Sequence, residues 1–279
     1  MSQTTAAGPR SKGLLTPHPG APVRIERRFP GEAAGAFVRH YWLPRWALPA
    51  GAEVRQGVLE YPTANLVVEA DSVLLHRASR GLSVRALRGE GWAFGVMLRP
   101  GTARSWTGVS LRGLPPAIPL PALVPGTREA VQAAVPAVRD RMAAGDDGGA
   151  LDAFEDAIAG LAAPGSDAAL VDAIVAAVEE DRDLLRVEQL ADRFGLGVRS
   201  LQRLVAGHIG FGPKWLIQRY RLQEAAALLR ADDPPPIGML AADLGYADQA
   251  HFTREFKAVV GATPGAYAAQ VAAERAGAP

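Results

Sequence analysis

The sequence predicts a multidomain α+β chain. A small β sandwich or barrel comes first, and an all-helical domain follows in which a long helix joins two helix-turn-helix motifs. Three observations carry this. Residues 23–114 hold short apolar runs cut at close intervals by Pro and Gly, the pattern of many short strands. After Pro164-Gly165-Ser166-Asp167 the apolar residues recur at helical spacing. Between Val187 and Tyr267 one pattern of small and apolar residues occurs twice.

Taken in order, residues 1–22 are rich in Gly, Pro, Ser and Thr and are expected as a flexible tail. Strands are expected over Val23–Phe29, Phe37–Leu43, Val54–Leu59, Leu66–Glu69, Val73–His76, Leu82–Leu87 and Trp92–Leu98. The breakers between them include Pro30-Gly31, Pro49-Ala50-Gly51, Pro62, Gly81 and Gly89. Residues 115–167 are expected as a connection. Its first part, 115–126, holds five prolines and reads as extended. Two linker helices follow, Arg128–Ala143 and Leu151–Ala162, split by Gly145-Asp146-Asp147-Gly148-Gly149, with Pro136 expected to kink the first. Residues 168–272 then form the helical domain, with helices over Ala169–Glu180, Val187–Phe194, Arg199–His208, Pro213–Arg230, Ile237–Leu244, Asp248–Val260 and Pro264–Gln270.

The chain has 279 residues, enough for two ordinary domains. Lys+Arg is 30 and Asp+Glu is 29, a net charge of +1, which speaks against a uniformly positive surface. Cysteine is absent, which excludes disulfide scaffolds, Cys-ligated zinc, iron–sulfur clusters, thiol nucleophiles and alkyl transfer to a thiol. The five histidines, His18, His40, His76, His208 and His251, form no pair at metal-ligand spacing. Neither a P-loop nor a G-x-S-x-G elbow is present. No catalytic residue, metal or cofactor is therefore expected. Apolar stretches are too short to span a bilayer and no secretory h-region precedes the first domain, so a cytoplasmic protein without a membrane is expected.

The repeat is specific. Ala191, Gly195, Leu201 and Leu204 have helix-turn-helix spacing: a small residue where two helices approach, a glycine for the turn, and an apolar pair seating the second helix. Ala191 and Gly195 match Ala241 and Gly245 at an offset of 50. Leu201, Arg203, Val205, Ile209, Gly210 and Pro213 match Phe252, Arg254, Phe256, Val260, Gly261 and Pro264 at an offset of 51. The second turn is thus one residue longer. Pro213–Arg230, with Leu222, Ala225, Ala226 and Leu229 at helical spacing, reads as a rigid spacer of roughly 27 Å, near the 34 Å of one B-DNA turn.

Residues about 170–270 resemble the DNA-binding domain of the AraC/XylS family of transcription regulators. The resemblance rests on Leu190-Ala191-Asp192-Arg193-Phe194-Gly195, Ser200-Leu201-Gln202-Arg203-Leu204, Arg219-Tyr220-Arg221-Leu222, Leu244-Gly245-Tyr246, Asp248-Gln249-Ala250-His251-Phe252 and Gly261-Ala262-Thr263-Pro264. It implies a seven-helix domain with two such motifs behind a variable regulatory domain. The three prolines Pro234 to Pro236 depart from the family pattern in the loop after the spacer. Residues 37–110, with Tyr61-Pro62 and Leu98-Arg99-Pro100-Gly101, resemble more faintly one group of β sensor domains in this family.

The function expected is a sequence-specific DNA-binding transcription regulator that reads two successive major grooves with helices 199–208 and 248–260. A ligand or partner at the N-terminal domain would control it. In the first unit Leu201, Leu204 and Val205 are expected in the core, with Arg199, Gln202 and Arg203 outward, where the resemblance places groove-facing residues. Arg and Gln suit guanine and adenine edges. In the second unit Phe252 and Phe256 are expected in the core, with Gln249, Ala250, Thr253 and Arg254 outward. Lys214 and Lys257 suit phosphates, and His251 suits a cap or a packing position. Between Arg193 and Arg230 seven basic residues stand against one acid, Glu224, expected as a positive island toward DNA.

Tyr41, Trp42, Trp46, Tyr61, Trp92, Phe94 and Trp106 are candidates for a pocket in the N-terminal domain, against the plainer reading as core. Candidate partners are double-stranded DNA, a small-molecule effector, RNA polymerase and a second copy of the chain. The alternatives are a helical protein-interaction module and a small-molecule-binding enzyme fused to a helical domain.

Overall fold

The structure, a computed structural model, describes residues 23–58 and 61–276. The expected tail 1–22 and the end of the third expected strand, Leu59, lie outside the described residues. The N-terminal half contains β1 (Val23–Arg28), β2 (Val38–Ala47), β3 (Glu53–Val58), β4 (Asn65–Val68), β5 (Val73–His76), β6 (Ser83–Arg88), β7 (Glu90–Trp92) and β8 (Phe94–Leu98). The expected seventh strand is interrupted at Ala93, whose N–H donates to the Pro44 carbonyl at 3.1 Å. The elements not foreseen include the short helix α1 (Thr102–Thr107) and β9 (Ala117–Pro119). β9 lies at the sheet edge next to β5, the place where a strand tolerates proline.

A seven-stranded antiparallel sheet runs in the order β1-β2-β8-β4-β5-β9, with β7 also on β2; β3 and β6 form a separate ribbon. Register assigns the two faces of the large sheet. Tyr41, Val96, Leu66, Leu75 and Ile118 are paired across successive strands, so they share one face. All five are buried. The helices expected as a connection, α2 (Pro125–Ala143) and α3 (Asp147–Ile158), have their apolar sides in this same core, through Val131, Val138, Met142, Phe154 and Ile158. α2 continues through Pro136. The break between the two helices falls at Gly145, and Asp146 starts α3 by accepting from the Gly149 N–H at 2.9 Å.

On the other face Trp42 lies against Gly95 of β8, so close that a β-carbon there would sit 2.0 Å from the indole. Trp46 covers Gly91 of β7 in the same way. The expected aromatic pocket set is therefore divided. Tyr41, Phe94 and Trp106 are core, Trp42 and Trp46 are half-buried on the opposite face, and Tyr61 meets Tyr220 of the helical domain at 6.5 Å. His40 is buried, and desolvation, reinforced by Arg27 and Arg39, lowers its pKa to about 3, so it stays neutral.

The helical domain comprises α4 (Ser166–Glu180), α5 (Val187–Arg193), α6 (Val198–Ile209), α7 (Pro213–Leu228), α8 (Ile237–Asp243), α9 (Gln249–Val260) and α10 (Pro264–Ala276). It has two apolar cores. One joins α4, α5, α6 and the first half of α7, through Val171, Leu190, Leu201, Val205, Leu216 and Tyr220. The other joins the second half of α7 to α8, α9 and α10, through Leu222, Ala226, Leu240, Phe252, Phe256 and Tyr267. The spacer helix is therefore not an exposed rod: one half is buried in each core.

The N-terminal domain is docked on α4. The Asp172 carboxylate accepts from Arg99 Nε at 2.8 Å and from the Gly101 N–H at 2.9 Å, and a β-carbon at Gly101 would meet the Ala168 backbone at 2.3 Å. The Leu98-Arg99-Pro100-Gly101 stretch is thus a docking element. No helix among the described residues is long and apolar enough to cross a membrane.

Candidate nucleic-acid interface

The sequence repeat is also a repeat of backbone. α5 ends at Arg193 and α6 begins at Val198, whereas α8 ends at Asp243 and α9 begins at Gln249. The second turn is longer by one residue, as the change of offset requires. Each turn holds a glycine in the left-handed region, Gly195 at φ +62° and Gly245 at φ +76°. There an L side chain costs about 1–2 kcal/mol. α6 and α9 both have 12 residues and both end on a left-handed glycine, Gly210 at φ 90° and Gly261 at φ 89°.

Each second helix buries one stripe: Leu201, Val205 and Ile209 in α6, Phe252, Phe256 and Val260 in α9. Leu204 is only half-buried. The opposite side of α6 exposes Arg199, Gln202 and Arg203. On α9, Gln249, Ala250, Arg254 and Lys257 are exposed and Thr253 is half-buried. Lys214 is exposed at the second position of α7. At the start of α9 the Asp248 carboxylate accepts from the His251 N–H at 2.6 Å. Asp248 is therefore the cap, while the His251 ring packs edge-on to Tyr246 at 5.4 Å.

The positive island of the sequence is smaller in space. Arg219 and Arg221 are each 2% exposed. Arg219 lies over the Trp215 ring at 5.0 Å and donates to the Ser79 carbonyl of the β domain. Arg221 pairs with Glu224 at 2.8 Å and donates to the carbonyls of Val178 and Asp181 at the end of α4. Arg193 pairs with Asp181, and Arg230 is half-buried over the Tyr267 ring. Of the seven, Arg199, Arg203 and Lys214 stand out from the surface without these engagements.

A cleft of about 380 Å³ separates the two units, bordered by Arg186, Glu188, Lys214, Gln218, Tyr246 and His251. Glu255 lies beside it, accepting from Tyr246 Oη at 3.0 Å and Gln218 Nε2 at 3.2 Å. Burial, and then the Glu255 carboxylate, push the Tyr246 phenol well above its usual range. Sequence reasoning missed Gln218 and Glu255. Their only signal was position, on the flank of each helix between its buried stripe and its outward residues.

The β domain touches both units at the far ends of the second helices. The Leu111 N–H donates to the Gly207 carbonyl of α6 at 2.9 Å, and Leu82 packs on the second core close to Gly261. The outward residues of α6 and α9 are left open.

Residues 190–270 match the family described as a helix-turn-helix domain, and residues 26–115 match a domain of unknown function, DUF6597. The HTH-type transcriptional activator RhaS of Escherichia fergusonii is 38% identical over 77 residues, 28% of this chain and 27% of that protein. The chain thus spans about a quarter of the length of that curated relative. Among solved structures, the DNA-binding domain of AdpA in complex with a target DNA is 28% identical, covers 39% of this chain and 97% of its own, and has a TM-score of 0.34. An apo ToxT variant from Vibrio cholerae is 11% identical, covers 86% of this chain and 98% of its own, and has a TM-score of 0.41. Residues 190–270 thus form a helix-turn-helix domain similar to that of the AraC/XylS-type transcription regulators, with a DUF6597 domain ahead of them over residues 26–115.

Proposed function

We propose that the chain is a sequence-specific DNA-binding transcription regulator that presents α6 and α9 to two successive major grooves. A small-molecule effector or protein partner acting on the β domain would control it. One observation carries the reading: two units with matching left-handed glycines each hold an exposed arginine at the same position of the second helix, Arg203 and Arg254. Arginine reads guanine O6 and N7 in bidentate fashion, and the two units are held on one helix, α7, whose 16 residues run for roughly 24 Å, a length on the scale of the 34 Å between successive grooves. Control from the β domain is supported by its direct bonds to the helical domain, from Arg39 to Glu179 at 2.8 Å and from Arg99 and Gly101 to Asp172.

The test uses the full chain and a duplex enriched by it from random sequence. Arg203→Ala is expected to weaken that duplex by about 1–3 kcal/mol at fixed salt and to relax preference at one base position. Equal affinity of variant and wild type would refute the assignment. Lys214→Ala is expected to weaken all duplexes alike and to lower the slope of log K against log salt by about 1. A loss confined to one sequence would remove Lys214 from the phosphate role.

A further inference from the structure

α9 has a third side, neither buried stripe nor outward face. Glu255 lies on it, half-buried. Its carboxylate gathers three groups: Gln218 Nε2 of α7 at 3.2 and 3.4 Å, Tyr246 Oη of the second turn at 3.0 Å, and His251 Nε2 one turn earlier on α9 at 3.4 Å. Gln218 sits between Ile217 and Tyr220, which belong to the core of the first unit. The second unit also packs on α7 through the apolar Leu222, Ala225, Ala226 and Leu229. Such apolar contacts are non-directional and permit small changes of tilt, whereas a carboxylate holding an amide and a phenol has a fixed geometry. The bond from Glu255 to Gln218 thus links the second reading helix to the half of the spacer that is rooted in the first unit.

We propose that Glu255 is the positioning residue that sets the angle of α9 against α7, and through it the separation of half-sites that the chain accepts. This rests on the DNA-binding reading above. Donors that read base edges must be held to within about 0.5 Å. Arg254 precedes Glu255 directly on α9, so a change of tilt carries Arg254 with it.

The probe is the duplex enriched from random sequence by the wild-type chain, with one base pair inserted or removed between its halves. Each change turns one half-site by about 35° relative to the other. Wild type is expected to lose about tenfold or more on either altered duplex, the cost of one or two misplaced base contacts. Glu255→Ala is expected to lose less than about threefold between native and altered spacing, with the change in affinity at native spacing read separately. Glu255→Gln keeps an amide oxygen that accepts from Gln218 and Tyr246 and should restore the wild-type discrimination. Gln218→Ala removes the tie from the α7 side and should reproduce Glu255→Ala, which keeps the test open if either variant folds poorly. Full discrimination in both alanine variants overturns the proposal. A uniform loss of affinity at every spacing, with a lowered melting temperature, overturns it as well, since that is the mark of mere packing. Enrichment of no duplex by wild type overturns the DNA-binding reading and this proposal with it, an outcome distinct from the other two.

Discussion

Glu224→Ala is expected to destabilise the chain by about 3 kcal/mol or more, although a surface reading of the same sequence would assign this acid almost nothing. Glu224 is buried in the middle of α7, and it is the carboxylate partner of Arg221, whose side chain is 3% exposed. It also receives Arg182 from the turn after α4. Removing the carboxylate leaves a buried guanidinium with only the Val178 and Asp181 carbonyls, and an uncompensated buried charge costs about 3–5 kcal/mol. Those two carbonyls keep the expected loss toward the lower end. They lie at the C-terminal end of α4, where a cation is favoured by the helix dipole. Urea unfolding of the full chain checks this: a loss below about 1 kcal/mol, the level of an exposed pair, would show that Glu224 is not the counter-charge of a buried arginine. Glu224→Gln, which keeps an acceptor, should lose less. The pair Arg221→Met with Glu224→Leu should recover part of the loss, because the charge is then removed together with its partner.

The same pair shows where the sequence stops being informative about the candidate site. Counting charges between Arg193 and Arg230 locates a basic segment correctly, but a count does not say which arginines enter a core. Arg219 and Arg221 lie on a helix whose two halves are buried in different cores, and that arrangement is set by contacts far along the chain. Arg199, Gln202 and Arg203 were legible because their exposure follows from local arithmetic: Leu201 and Val205 fix the buried stripe of α6 and leave those three opposite. The turns were legible for the same reason, since a glycine four residues after a small residue is a local signal, and the single-residue change of offset fixed the longer second turn.

The β domain was legible strand by strand, because alternation and breakers are local. Its layering was not. The helices of residues 125–158 look like a connection when read along the chain, yet Val138 and Phe154 are fully buried against the sheet. A strand such as β2, buried at Val38, His40, Tyr41, Leu43 and Pro44, needs cover on both sides, and the sequence does not name the elements that supply it. The docking of Gly101 on α4 was visible only as a motif, since its close approach to the Ala168 backbone depends on the partner helix.

Phe252→Ala should separate the two units. Phe252 is fully buried and packs against Tyr246 at 5.2 Å and Phe256 at 5.6 Å between ring centres. Truncating such a ring costs about 3–5 kcal/mol, as lost transfer energy plus the cavity left behind. The buried residues of its core are distinct from those that hold α4, α5 and α6, so the loss falls on α8, α9, α10 and the second half of α7. Hydrogen exchange of the native protein should therefore quicken over residues 237–276 and into α7 as far as about Leu222, while α6 keeps its protection. If α6 and α9 read DNA as proposed, the variant should keep the contacts of α6 and lose those of α9, shortening the protected segment from two grooves to one. Equal acceleration of exchange in both units would mean that α7 couples the cores into one cooperative block. In that case the spacer helix transmits a disturbance of α9 to α6.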